Sequence, residues 1–340
     1  MDVMPYKTPW WLCGGHLQTL YPLLRKPLSP PLRRERLDSP DGDFIDIDWL
    51  DAPSPAAPLL VLFHGLEGSS RSHYARGLLN SAARHGWRLA IPHFRGCSGE
   101  PNRLPRAYHS GDSDEIHWLL QHFATLLGNT APLFAVGVSL GGNALLKWLG
   151  EQADSARPLL QGAVAVCPPL DLTICGHALA RGSNRLYTRH FLNTLKPKAL
   201  GKLQRFPGLF DAHRLRSARS LHAFDDVYTG PVHGFSGADE YWHKASSRPW
   251  LSHITVPSLL LTSANDSFVP PAALPHASEF SPWLQHEHHR QGGHVGFVAG
   301  HWPGHLEWLP QRILHFLGTA ASQPLASDSQ LPDTGSFSRP

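Results

Sequence analysis

The chain has 340 residues, enough to bury a large core without disulfide or metal staples, and by length alone it holds about two domains or one α/β unit with insertions. Thirty Lys plus Arg against 27 Asp plus Glu give a formal charge of +3, too even a balance for a general nucleic-acid binder. Charged residues are only 17%, and 23 His, 31 Pro and 30 Gly fill their place, so the chain is turn-rich and its histidine excess raises the question of metal.

Residues 1–42 read as an irregular arm, broken by Pro5, Pro9, Pro22, Pro27, Pro30, Pro31 and Pro40. The opening MDVMPYKTPWWLCGG lacks a charged start followed by an apolar core, so no secretory signal is expected. No apolar run reaches the roughly 18 residues of a membrane span. Phe44, Ile45, Ile47 and Trp49 around Asp46 and Asp48 predict an alternating, half-buried strand. After a Pro/Ala linker at 52–58, Leu59–Phe63 is wholly apolar and predicts a strand buried on both faces. The pattern then alternates. A helix is predicted around Tyr74–His85, a strand over Trp87–Phe94, an amphipathic helix with an acidic start over Asp112–Leu127, a strand over Leu133–Val138, a helix over Leu140–Gln152 and a strand over Gly162–Cys167. Such alternation predicts a mostly parallel sheet with helices on both faces.

Between about 172 and 251 the rhythm breaks into Arg-, His- and Ser-rich helical pieces without a clean buried strand, too long for a loop, and this predicts an inserted helical cap. The sheet resumes at Val256–Ser263 and near Leu284–Arg290, and a last helix is expected over roughly Gly304–Leu317. Residues 319–340 are polar and unpatterned and read as a disordered tail. The expected organisation is therefore an arm at 1–42, one domain at 43–318 carrying the cap, and a tail at 319–340. Cys13, Cys97, Cys167 and Cys175 form no C-x-x-C, which with the missing signal suggests reduced thiols in a cytoplasmic protein. Nothing in the pattern sets an oligomeric state.

One motif stands out: Gly137-Val138-Ser139-Leu140-Gly141, after an apolar strand and at the opening of a helix. A turn this tight strains the serine backbone, raises the hydroxyl out of the sheet and needs glycines two before and two after, where side chains would collide. A serine needs a base to take its proton and a third group to orient that base; behind such a turn the acid and then the histidine follow along the chain. His294, in Gly292-Gly293-His294-Val295-Gly296, sits after the last strand with glycines on both sides. His286, His288, His289, His301, His305 and His315 lie in strand or helix contexts that suit the role less well. Asp266, past the strand ending at Ser263, is the favoured acid; Asp171 is the rival, and Asp225, Asp226 and Asp239 fall in the expected cap. Backbone N–H groups of Leu140 and of Leu66, in His64-Gly65-Leu66-Glu67-Gly68, are the expected oxyanion donors.

At these residues the chain resembles the α/β-hydrolase superfamily, and more narrowly its YheT-like branch (the AB hydrolase 4 family), which also holds eukaryotic abhydrolase-domain lipases and yeast ethyl ester synthases. The matching blocks are Gly15–Pro22, His64–Ser70, Phe94–Asn102, Tyr108–Asp112, Gly137–Asn143 and Gly293–Phe297, in order from about residue 10 to 318. The resemblance implies an α/β-hydrolase fold and a Ser139–Asp266–His294 triad cleaving carboxylic esters, often of short or medium acyl chains. Where the family often pairs two Asp at the acid turn, this chain has Asn265-Asp266. The branch also carries an H-x-x-x-x-D pattern linked to acyl transfer; here it falls on His109 and Asp114, although Asp112 and Asp114 also suit the first turn of a helix.

The leading expectation is a serine esterase acting on a small-molecule ester in the cytoplasm, without cofactor or metal. An acyltransferase with the same triad and an inert binding protein of the same fold are the alternatives. A metal site on His286-Glu287-His288-His289 is disfavoured, since alternation along a strand offers only two ligands per face. Trp242, Trp250, Phe206, Phe210 and Phe224 are candidates to line an acyl pocket, or simply to pack the cap.

Overall fold

The structure is a computed structural model and describes residues 4–25, 27–128 and 130–322. Eight strands form one sheet: β1 (Arg33–Asp38), β2 (Phe44–Leu50), β3 (Leu59–Phe63), β4 (Arg88–Pro92), β5 (Leu133–Val138), β6 (Gly162–Val166), β7 (Ser258–Ser263) and β8 (Leu284–His289). Their order is β1-β2-β4-β3-β5-β6-β7-β8, antiparallel at β1/β2 and β2/β4 and parallel from β4 onward. The helices are α1 (Gly15–Leu24), α2 (His73–Arg84), α3 (Ser113–Leu127), α4 (Leu140–Gln152), α5 (Leu172–Leu179), α6 (Arg185–Arg205), α7 (Ala212–Ser217), α8 (Leu221–Phe224), α9 (Gly230–Val232), α10 (Ala238–Ala245) and α11 (Trp308–Ser322).

Alternation along the central strands sorts their side chains between two cores. Leu59, Val61 and Phe63 of β3 join Leu133 and Ala135 of β5 under α3 and α4, which contribute Ile116, Leu120, Phe123, Leu145 and Trp148. Leu60 and Leu62 join Phe134, Val136 and Val138 under α2 and α11, which contribute Leu78, Leu79, Ile313 and Leu317. Both faces of the parallel strands are thereby dry, which is why these segments are almost purely apolar. Residues 172–251 hold α5 to α10 with no strand among the described residues, and they carry small cores of their own, one built on Leu192, Leu215, Phe224 and Tyr228. Among the described residues no helix is long and apolar enough to cross a membrane.

The structure departs from the sequence expectations in four places. Residues 1–42 carry α1 and the edge strand β1, whose Arg33-Arg34-Glu35-Arg36 hides any apolar alternation because a sheet edge is shielded by charge. Strand β2 is buried along its whole length instead of alternating. Its Asp46 and Asp48 are dry because Arg36 and Arg34 on β1 grip them with paired bonds of 2.7 and 2.9 Å each. Burial alone would raise the Asp48 carboxyl, but hydrogen bonds from His93, Arg34 and Ser70 hold it well below the usual carboxylate range. The last helix starts at Trp308, after a loop with Gly304 at φ 75° and a bridge from Ala299 to His305. It runs on to Ser322, into the segment expected as tail; residues 323–340 of that segment lie outside the described residues.

Candidate active site

Strand β5 ends at Val138, and the chain reverses at Ser139 into α4. Ser139 has φ 52° and ψ −118°, a conformation that costs a side-chain-bearing residue about 1–3 kcal/mol and is held here from both sides. Its N–H donates to Val166 O at 2.8 Å. A Cβ on Gly137 would lie 2.6 Å from Gly142 Cα, and one on Gly141 would run into Phe63 O and lie 2.6 Å from His64 O. Glycine is thus imposed at both positions by backbone packed on backbone.

The parallel sheet delivers the other two groups to the same edge, past the carboxyl ends of β7 and β8. Ser139 Oγ lies 2.9 Å from His294 Nε2, and His294 Nδ1 lies 2.8 Å from Asp266 Oδ2. Asp266 is buried, and its Oδ1 accepts the N–H groups of Phe268 (2.8 Å) and Val269 (3.3 Å), leaving Oδ2 for the imidazole. With a carboxylate at Nδ1, that nitrogen carries the proton and Nε2 is the acceptor facing the serine. The Phe268 ring stacks on the imidazole at 4.2 Å between centroids.

The loop carrying His294 is anchored by groups whose part the sequence reading did not recognise. Gln18 on α1 is fully buried; its Oε1 accepts Gly292 N–H (2.8 Å) and Asn265 Nδ2 (2.9 Å), and its Nε2 donates to Leu12 O (2.8 Å) and Gln291 Oε1 (2.6 Å). Thr19 Oγ1 accepts His294 N–H at 2.8 Å. A Cβ on Gly293 would lie 2.8 Å from both Gly15 O and Thr19 N, so α1 and the histidine loop meet backbone to backbone. From the far side His73 Nε2–H donates to Val295 O at 3.1 Å, and burial pushes that imidazole down to about 4, so it is neutral near pH 7. The one signal for α1 was the block Gly15–Pro22, which carried resemblance but no chemistry of its own.

At the proposed oxyanion donors, the neighbouring amides are already taken. Gly65 N–H donates to Tyr74 Oη (2.9 Å), Glu67 N–H to Tyr108 Oη (2.9 Å) and Gly68 N–H to Gly65 O (2.9 Å), whereas the N–H groups of Leu66 and Leu140 have no acceptor among the described residues. Gly65 approaches the serine so closely that a Cβ there would sit 3.3 Å from Ser139 Cβ. His64 braces this loop: Nδ1 donates to Gly65 O (2.8 Å) while Nε2 accepts Phe94 N–H (3.1 Å). Glu67, at φ 57°, is held by Tyr108 Oη (3.0 Å) and by Lys198 of α6 (2.8 Å).

The remaining candidates have other partners. Asp171 caps α5 through Ile174 N–H (2.9 Å). Asp225 accepts Trp242 Nε1–H, Asp226 pairs with Arg214 and Asp239 with His222, all within the 172–251 segment. His286 and His288 share Thr262 Oγ1 at 2.7 and 2.8 Å, and His289 faces Glu287 at 3.6 Å. His109 lies 4.0 Å from Asp112, and Asp114 is exposed in the first turn of α3, so the spacing His109…Asp114 does not translate into a hydrogen-bonded pair. One group of three possible metal ligands occurs among the described residues, Cys167, Asp266 and His294, within 4.8 Å of one another. Two of its members already bond each other, and burial beside Asp266 pushes the Cys167 thiol well up, which disfavours the thiolate a metal needs. Trp242 and Phe224 are buried as packing; the aromatic rings that reach the imidazole are Phe268 and, behind it, Tyr187 and Phe191.

Comparison with known proteins gives consistent relatives. Residues 58–300 match a family described as alpha/beta hydrolase fold. "Putative esterase YheT" of Escherichia coli (strain K12) is 39% identical over 309 residues, 89% of this chain and 90% of that protein. "Phospholipase ABHD3" of Homo sapiens is 27% identical over 321 residues, 92% of this chain and 78% of that protein. Among solved structures, the Pyrococcus furiosus esterase Pf2001 superposes with a TM-score of 0.54 at 14% identity, covering 86% of this chain and 92% of that one, a likeness of fold.

Proposed function

The chain belongs to the alpha/beta hydrolase fold family, and from that premise we propose that it hydrolyses carboxylic esters of short or medium acyl chains through an acyl-enzyme on Ser139. The observation that carries this reading is the continuous line Ser139 Oγ, His294 Nε2, His294 Nδ1, Asp266 Oδ2, with bonds of 2.9 and 2.8 Å. The relatives' names as esterase and phospholipase support hydrolysis of an ester bond.

In the proposed cycle, Ser139 Oγ attacks the ester carbonyl carbon as its proton passes to His294 Nε2, and Asp266 stabilises the resulting imidazolium. The carbonyl oxygen becomes an oxyanion that accepts the free N–H groups of Leu66 and Leu140; donors of this kind are worth about 3–4 kcal/mol each in the transition state. Collapse breaks the bond to the alkoxy oxygen, which takes the proton from His294 and leaves as the alcohol. Water then gives its proton to His294 and its oxygen to the acyl carbon; the second collapse returns the proton to Ser139 and releases the acid. The cycle closes on protein groups and water. A cytoplasmic setting belongs to the same reading and is supported by four unpaired cysteines.

The test is turnover of nitrophenyl esters of graded acyl length together with labelling by a fluorophosphonate probe. Wild type is expected to label and to turn over esters; Ser139→Ala is expected to lose both, with kcat down by at least about 10⁴-fold. Equal turnover by the two proteins refutes the mechanism.

A further inference from the structure

Helix α1 is turned inside out. Gln18, Thr19 and Pro22 are buried, while Leu17, Leu20, Leu23 and Leu24 are exposed. At 100° per residue Leu17, Leu20 and Leu24 form one stripe, opposite Gln18 and Pro22. The polar side is committed to the histidine loop and the acid turn, so the apolar side is left to solvent. Trp10 and Leu28, which flank α1 along the chain, and Trp302, whose ring stands 5.0 Å from that of Trp11, are exposed as well, and exposure among these residues runs from 44% at Leu20 to 89% at Leu28. A cluster of large apolar side chains this exposed marks an interaction surface.

Charge decides what covers it. His16 of α1 bonds Tyr187 Oη (3.1 Å) and Ser183 Oγ (2.9 Å), which joins the helix to the start of α6. There Arg181, Arg185 and Arg189 are exposed and have no acidic partner among the described residues. The sequence has no Asp or Glu between Val3 and Arg34 or between Leu172 and Phe210. Glu307, in the groove beside Leu24, is paired with Arg84 at 3.4 Å. A second copy of this chain would set like charge against like.

We propose that this face docks on an anionic lipid surface, the leucines and tryptophans entering the acyl boundary and the arginines meeting headgroup phosphates. Rings lead from it to the site: His16 to Tyr187 at 5.7 Å, Tyr187 to Phe268 at 4.7 Å and Phe268 to His294 at 4.2 Å. Docking would therefore bring the serine and its histidine to the surface where lipid esters reside. The binding step itself requires nothing of Ser139, so it stands apart from the ester-hydrolase reading.

The experiment is co-sedimentation with vesicles of phosphatidylcholine alone or mixed with phosphatidylglycerol, run beside turnover of a soluble nitrophenyl ester. Wild type is expected to bind the phosphatidylglycerol vesicles and to be released by salt. Leu20→Ser with Leu24→Ser should weaken partitioning about tenfold per leucine. Arg185→Gln with Arg189→Gln should weaken it about fivefold for each charge lost. Soluble-ester turnover should stay at the wild-type level in both variants. Hydrolysis of the soluble ester without vesicle binding overturns the docking surface and leaves the hydrolase reading standing. So does binding that neither pair of substitutions alters, or a dimer that the leucine pair dissociates while no vesicle is bound.

Discussion

Replacing Gln18 with leucine is expected to slow ester turnover although Gln18 touches neither the serine nor the substrate. The side chain is fully buried and joins Gly292 N–H, Asn265 Nδ2, Leu12 O and Gln291 Oε1 with bonds of 2.6–2.9 Å. Leucine fills much the same space but satisfies none of them. The exposed Gln291 amide can turn to water, whereas Gly292 N–H and Leu12 O are buried and stay orphaned. At about 1–3 kcal/mol for each of the two orphaned groups, the cost is about 2–6 kcal/mol of stability. Asn265 and Gly292 lie one and two residues from Asp266 and His294, so the same loss loosens the acid turn and the histidine loop together. A displacement of about 1 Å at a catalytic group costs about 100-fold in rate. The assay is urea denaturation beside steady-state kinetics on a soluble nitrophenyl ester, with kcat falling about 100-fold while KM stays within a fewfold of wild type. Gln18→Glu keeps the acceptors for Gly292 and Asn265 and should recover part of kcat. Wild-type kcat and denaturation midpoint in Gln18→Leu, or a change in KM alone, would refute the reasoning.

Three further substitutions test the structure, two of them in the frame around the serine. Gly141→Ala drives a methyl into the backbone of Phe63 and His64, and should destabilise by about 3 kcal/mol or prevent folding. Gly201→Ala, in α6 with nothing within 4 Å of the added carbon, should instead stabilise by about 0.5–1 kcal/mol; thermal denaturation of both variants checks the contrast. Burial pushes the His64 imidazole down to about 3, and its two backbone partners suit only the neutral ring. The unfolded chain takes up that proton near pH 6.5, so stability present above pH 6.5 is lost as pH falls toward about 3, about 2 kcal/mol of it between pH 7 and 5. His64→Gln, whose amide can donate and accept in the same two directions, should flatten that slope when denaturation midpoints are compared at pH 7 and 5. An unchanged slope would show that His64 does not carry the effect.

Much of the frame was legible along the chain because its signals are local. Leu59–Phe63, Leu133–Val138 and Leu140–Gln152 appear in the structure with the predicted bounds, since unbroken apolar runs of strand length and one glycine-flanked turn leave few alternatives. The turn at Ser139 likewise states its own constraint: two glycines where backbone must touch backbone. Asp266 and His294 could be ranked above their rivals by position after a strand, and the structure brings both into hydrogen-bonding range. Some of the many histidines have individual structural bonds, such as those of His64 to its neighbouring backbone and His73 to Val295.

Other features depend on partners far off in the chain, and no local period encodes them. Strand β1 reads as charge because its arginines neutralise Asp46 and Asp48 on the next strand, and only their pairing makes β2 a buried strand. Gln18 lies 274 residues from Gly292, and the same helix that places it there must turn its leucines outward. Periodicity and turn chemistry are set by each residue's nearest neighbours. Which polar side chain satisfies which buried backbone group is settled only when the two segments pack, and that is where the supports of the proposed active site are found.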